Sequence, residues 1–166
     1  MSTMQSEHFT KALVTLLDET FDKVQGYYLD PQTSLFETLA DITAAEASIP
    51  VGGRCATLAA QVKHVAFYLE TVERSVRDPS YPQVDWTEIW RTVGGVTPDE
   101  WQAIQDDLRR AYAGILSLIG SAPDWRNETD IAGAIAIVAH TAYHLGEMRQ
   151  ALCVVCLLYT SPSPRD

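Results

Sequence analysis

Apolar positions recur at three- and four-residue steps along most of this chain, and the alternation expected of a half-buried strand is absent. Phe9, Leu13, Leu16, Leu17, Phe21 and Val24 define a first amphipathic helix that ends near Gly26. Ser34 with Glu37, and Thr43 with Glu46, each fit a capping box, so two short helical turns follow. "IPVGG", Ile49 to Gly53, reads as a loop. Thr57 can cap a second long helix whose stripe is Leu58, Val62, Val65, Leu69, Val72 and Val76, with Asp78-Pro79 as its stop. The connection from Ser80 to Val96 holds Trp86 and Trp90, which are costly to expose, so it is expected to lie ordered over the helices.

The third long helix has the clearest start: Thr97 at the N-cap, Pro98 at the first helical position and Glu100 three residues past the cap. Its buried stripe is Trp101, Ile104, Leu108, Tyr112, Ile115 and Ile119. A loop from Gly120 to Asn127 leads to a fourth helix capped by Thr129 or Asp130. Four long helices without a repeat or an interdomain linker predict an all-α, four-helix bundle in one domain, residues 1–155, with a short helical insert after helix 1 and a long helix 2–3 connection.

The last eleven residues break the pattern. "CLLYTSPSPRD", Cys156 to Asp166, has no apolar period and resembles, codon by codon, the in-frame translation of a common transposon-based sequencing adapter. It is read as a non-native tail outside the fold, residues 156–166, with the natural C-terminus expected to be missing.

Composition narrows the function classes. An apolar share of 46% with 20% charged residues is that of a soluble globular chain. The net charge of −10, without a Lys/Arg cluster, argues against a nucleic-acid surface. No secretory leader or long apolar run points to export or a membrane, so the cytoplasm is the expected compartment. Cys55, Cys153 and Cys156 are too few for a disulfide framework. Cys55 has no base placed beside it by the sequence, and is read as a small buried or loop cysteine rather than a catalytic thiol.

The fourth helix carries the chemistry. "AHTAYHLGEM" places His140 and His144 four residues apart, so both imidazoles project from one face. Gly133, Ala136, Glu147 and Ala151 share that face, while Ile131, Ile135, Val138, Ala142 and Leu145 make the other side apolar too. A helix apolar almost all round is expected to be buried on more than one side. An i, i+4 histidine pair is the spacing by which a helix offers two nitrogens to one metal ion, although such pairs also arise as ordinary hydrogen-bonded histidines. His64, in mid-helix at the edge of the second stripe, permits a third ligand without demanding it. His8, near the start of the chain, reads as solvated. Thr141 after His140 departs from the H-E-x-x-H of zinc proteases, and no histidine follows a Glu by three residues as di-iron bundles require. Three histidines without a bridging carboxylate point to a single ion with a coordination position left open.

From about Leu17 to Leu152 the chain resembles the DinB-like family of bacterial proteins. The resemblance lies in "SLFETLADITAAEASIPVGGR", "LAAQVKHVAFYLETV", "DEWQAIQDDLRRAYAGILSLI" and above all "HTAYHLGEMRQAL", where members often read H-x-x-Y-H-x-G-Q. It implies an up-down-down-up four-helix bundle, often a homodimer, holding one divalent ion on His64, His140 and His144. Three imidazoles suit zinc, nickel, cobalt or iron, with zinc or nickel expected here. Glu147 stands where Gln is frequent; it could approach the metal, support a ligand, or face water, the plainest of the three. Tyr143 could donate a hydrogen bond in the site or merely pack.

Relatives of this kind include transferases using low-molecular-weight thiols such as bacillithiol or mycothiol, and metal-dependent hydrolases. The resemblance therefore implies a mononuclear metal enzyme of one of these classes, acting on a small molecule or thiol. Two other readings stand beside it: a non-catalytic bundle stabilised by metal and acting in binding or stress response, and a metal-free bundle with vestigial histidines. The fold does not select among them.

Overall fold

The computed structural model describes residues 6–50, 55–121, 125 and 127–158, the side chains through Cys153. Among these residues the chain is helical: α1 (Ser6–Phe21), α2 (Leu35–Leu39), α3 (Ala44–Ala47), α4 (Leu58–Arg77), α5 (Glu88–Thr92), α6 (Pro98–Gly120) and α7 (Glu128–Leu158). One antiparallel bridge, Pro50 to Thr57, is the departure from helix pairing. The four long helices pack α1 on α6, α6 on α4, α4 on α7 and α7 on α1, with α4 against α6 the most extensive of these contacts.

The caps form as their chemistry dictates. Ser34, Thr43 and Thr97 each accept from the N–H three residues on, while Glu37, Glu46 and Glu100 reach back to the cap N–H. Thr57 caps α4 by accepting from the Ala60 N–H at 3.2 Å. At α7 the cap is Asn127, whose side-chain oxygen accepts from the Asp130 N–H at 2.9 Å. This corrects the expectation of Thr129 or Asp130: an Asn satisfies a free N–H as well as they do, and its position starts the helix sooner.

The core joins Leu13, Leu17 and Phe21 of α1 to Val62, Val65 and Leu69 of α4, Leu108 and Ile115 of α6, and Leu145 and Met148 of α7. Burying each such side chain stabilises the fold by about 1.5–3 kcal/mol. Val76, expected in the α4 stripe, is exposed, because the last turn of α4 runs past the core. The α1 helix ends at Phe21, not near Gly26. The buried Glu19 is the reason: its carboxylate accepts from the N–H groups of Tyr27, Tyr28 and Leu29 at 2.8–2.9 Å and pulls the chain back. Gly26 takes the positive φ of 87° that this reversal needs.

On α7 the core-facing stripe is Ala134, Ile137, Thr141, Leu145 and Met148. The expectation of burial on more than one side is not met, since Gly133, Ile135, Ala136 and Ala139 are exposed. The principal neighbours, α1 and α4, cover the other stripe. Ordering of the Ser80–Val96 connection is met in its second half, although Trp86 and Trp90, expected to be covered, stay exposed. Ser48 Oγ accepts from the Val96 N–H at 2.9 Å, and Thr57 Oγ1 donates to the Gly94 carbonyl at 3.2 Å. With Ile89 buried, these contacts lay α5 along α4. No helix among the described residues is long and apolar enough to cross a membrane. The backbone of Cys156–Leu158 continues α7, and residues 159–166 of the tail lie outside the described residues, as do 51–53 of the Ile49–Gly53 loop.

Candidate metal centre

Two long helices and one short one build the site. His64 projects from the middle of α4; His140 and His144 project from α7, one turn apart. Packing of α4 on α7 brings the three rings together: centroids are 4.6 Å apart for His140 and His144, 4.8 Å for His64 and His144, and 5.4 Å for His64 and His140. Each ring offers one nitrogen, and the three nitrogens lie within 4.8 Å of one another. The three residues form a group that can hold a metal ion. His8 is exposed and stands apart, as expected.

The donor chemistry fits an ion. His64 Nδ1 and His140 Nε2 are buried and have no hydrogen-bond partner. An unpaired buried polar atom costs about 1–3 kcal/mol, so these nitrogens call for a ligand. One ion at about 2.0–2.1 Å from each nitrogen needs a tighter cluster than the observed one, so binding requires the rings to rotate inward. All three rings favour the neutral, metal-binding form. Burial, reinforced by His144 and His140, lowers the His64 pKa to about 4. Burial also lowers His140 and His144, with the Glu147 carboxylate opposing the shift in both.

Glu147 does not simply face water. Its Oε2 lies 2.9 Å from His144 Nδ1, one turn along the same helix, which directs the other ring nitrogen away from the carboxylate. The carboxylate is part-exposed and paired with His144 at the same time, the arrangement that the supporting alternative would use. A histidine that ligates a metal commonly has such a partner on its second nitrogen. Tyr143 stands at the rim, 62% exposed, its ring edge-on to His144 at 5.1 Å. A hydrogen bond to Glu147 and the charge of that carboxylate raise the Tyr143 pKa. Cys55 is exposed ahead of α4, with no part in the histidine cluster.

Two contributors escaped sequence reasoning. Tyr68, one turn beyond His64, stacks on His140 at 3.9 Å. Trp90, on α5, lies tilted over His64 at 4.5 Å and 6.4 Å from His144. The i, i+4 spacing from His64 to Tyr68 was a usable signal; nothing local in the sequence ties Trp90 to the histidines. Two surface clefts among the described residues, one around Lys63, Glu73 and Asp107 and one around Tyr28, Arg149 and Cys153, include none of the three histidines.

No family model, curated protein or solved structure matches the chain.

Proposed function

We propose that this chain is a DinB-like four-helix bundle holding one divalent ion, zinc or nickel, on His64, His140 and His144, and that it is a thiol transferase or hydrolase. The observation that carries the reading is the convergence of three imidazoles in which two buried nitrogens lack partners. When bound, such an ion supplies a positive charge that lowers the pKa of a thiol or water brought beside it.

The chain's own residues do the rest. His64 and His140 present their nitrogens from two different helices, so the site exists only when α4 and α7 are packed. Glu147 holds the His144 ring through Nδ1. Tyr68 and Trp90 cover faces of His140 and His64. Three protein donors leave a position for a small molecule.

A second reading, a non-catalytic bundle stabilised by the ion, draws on Trp90 lying over His64. Elemental analysis followed by titration of the cobalt-loaded protein with mercaptoethanol separates the two. Stoichiometric metal with a thiolate-to-cobalt absorption band supports the enzyme reading. Stoichiometric metal whose spectrum ignores the thiol supports the structural one, and absence of bound metal overturns both.

A further inference from the structure

His64 is 7% exposed and His144 6%, so an ion or its ligand meets little open surface at the centre. A covering element must move to admit one. The helices α4 and α7 are fixed, because Val62, Val65 and Leu69 of one and Leu145 and Met148 of the other sit in the close-packed core. The third element on the cluster is α5, whose Trp90 lies over His64 at 4.5 Å and 6.4 Å from His144.

Among the described residues, the hydrogen bonds of residues 82–93 close within that stretch. The Asp85 carboxylate gathers them, accepting from the Thr87 N–H at 2.8 Å, the Thr87 hydroxyl at 2.7 Å and Arg91 at 2.6 Å. The Val93 N–H donates to the Ile89 carbonyl at 2.9 Å. Trp101 and Trp125 donate their indole N–H groups to the Ile42 carbonyl and to Thr10 Oγ1; among the same residues Trp86 and Trp90 have no such acceptor. The contacts that join the segment to α4 are apolar and aromatic. Ile89 is buried, Trp86 packs beside Phe67 and Tyr68 at 5.6 and 6.2 Å, and Trp90 rests on His64. Displacing the segment breaks no hydrogen bond to these helices, which makes its opening one of the least costly motions of the fold.

Both ends are tethered. The Ser80 N–H donates to Asp78 at 2.9 Å just past α4, while Thr57 and Ser48 hold the Gly94 carbonyl and the Val96 N–H. Gly94 stands where the loosely held stretch meets this fixed backbone, and a Cβ there would meet nothing within 4 Å. It has the backbone freedom of a hinge and no packing that opposes the turn.

We infer that residues 82–93 form a lid over the histidines: Trp90 closes it on His64, Gly94 is a hinge, and its opening admits the ion and its ligand. The inference rests on the proposed function in naming the ion as what enters.

Carbethoxylation by diethyl pyrocarbonate tests it on the metal-free full chain at neutral pH, with peptide mass spectrometry reading each histidine. His8, exposed and apart from the cluster, is the internal reference. His64 should react at least about tenfold more slowly than His8. Trp90→Ala should speed His64 by about tenfold and leave His8 unchanged. Gly94→Ala, which removes open-state backbone freedom without a clash, should slow His64 by about threefold. If Trp90→Ala fails to fold, the wild-type ratio and Gly94→Ala decide. His64 reacting as fast as His8 in the wild type overturns the inference. So does a His64 rate that Gly94→Ala leaves unchanged, since Trp90 is then a fixed cover. Cobalt titration of the same proteins keeps the two readings apart. The expected rates without bound cobalt overturn the metal reading and leave the lid; bound cobalt with a His64 rate indifferent to both substitutions does the reverse.

Discussion

Glu147 Oε2 stands 2.9 Å from His144 Nδ1, so a single turn of α7 carries both a candidate ligand and the group that orients it. Gln keeps an oxygen that can accept from the imidazole N–H, whereas Ala removes the partner altogether. Glu147→Gln should therefore leave metal affinity nearly intact, and Glu147→Ala should weaken it by about 10–100-fold. Competition with a coloured chelator measures both. Loss of metal in the Gln variant would make the carboxylate itself a ligand.

His144→Ala removes one of three nitrogens, and two imidazoles compete poorly with water for a divalent ion. Stoichiometric metal should be lost, together with the metal-dependent rise in melting temperature. Elemental analysis of protein passed over a desalting column is the check. Full occupancy in this variant would refute the three-histidine site.

Acidification should destabilise the metal-free protein. An imidazole in the unfolded chain takes up a proton near pH 6.5, whereas His64 in the fold resists until about 4. Between those values the unfolded state binds more protons, so stability is full above pH 6.5 and is lost as the pH falls toward 4. By pH 5 the loss from this shift is about 2 kcal/mol. His140 and His144, which face His64 from α7, are lowered too and act in the same direction, with Glu147 opposing. Thermal melts at pH 7.5 and 5 should differ less in His64→Gln than in the wild type; an unchanged difference would remove His64 as a source.

Glu19 should prove a structural residue of the α1–α2 connection. Its buried carboxylate accepts three backbone N–H groups, and Glu19→Ala would leave them unpaired. A destabilisation of about 3 kcal/mol or more is expected in urea unfolding. A loss under about 1 kcal/mol would show that water replaces the carboxylate.

The tail supplies an independent test. A chain ending at Val155 should melt within about 2 °C of the full chain if the tail is the non-native addition the sequence indicates, because a segment outside the fold adds little stability. Differential scanning calorimetry of the two forms decides it; a larger drop would give Cys156–Asp166 a structural role.

The sequence by itself determined the four long helices, the two short ones after α1, and most of their starts, but not α5. Thr57 and the Thr97/Glu100 box are local devices whose hydrogen bonds close within a few residues, so they are legible without a fold. The α6 stripe from Trp101 to Ile119 was equally plain, since one apolar face admits one orientation. The His140/His144 pair was readable for the same reason, being set by helical periodicity alone. Tertiary structure decided what periodicity left open. An α7 apolar almost all round has no unique inner face, and contact with α1 and α4 selected Ala134, Ile137, Thr141, Leu145 and Met148. His64 joined the pair only through packing of α4 on α7. Trp90 reached the site because Ser48 and Thr57 pin a connection far from both in the chain. Contacts between residues distant in sequence depend on the path of the whole backbone, and no local pattern encodes that path.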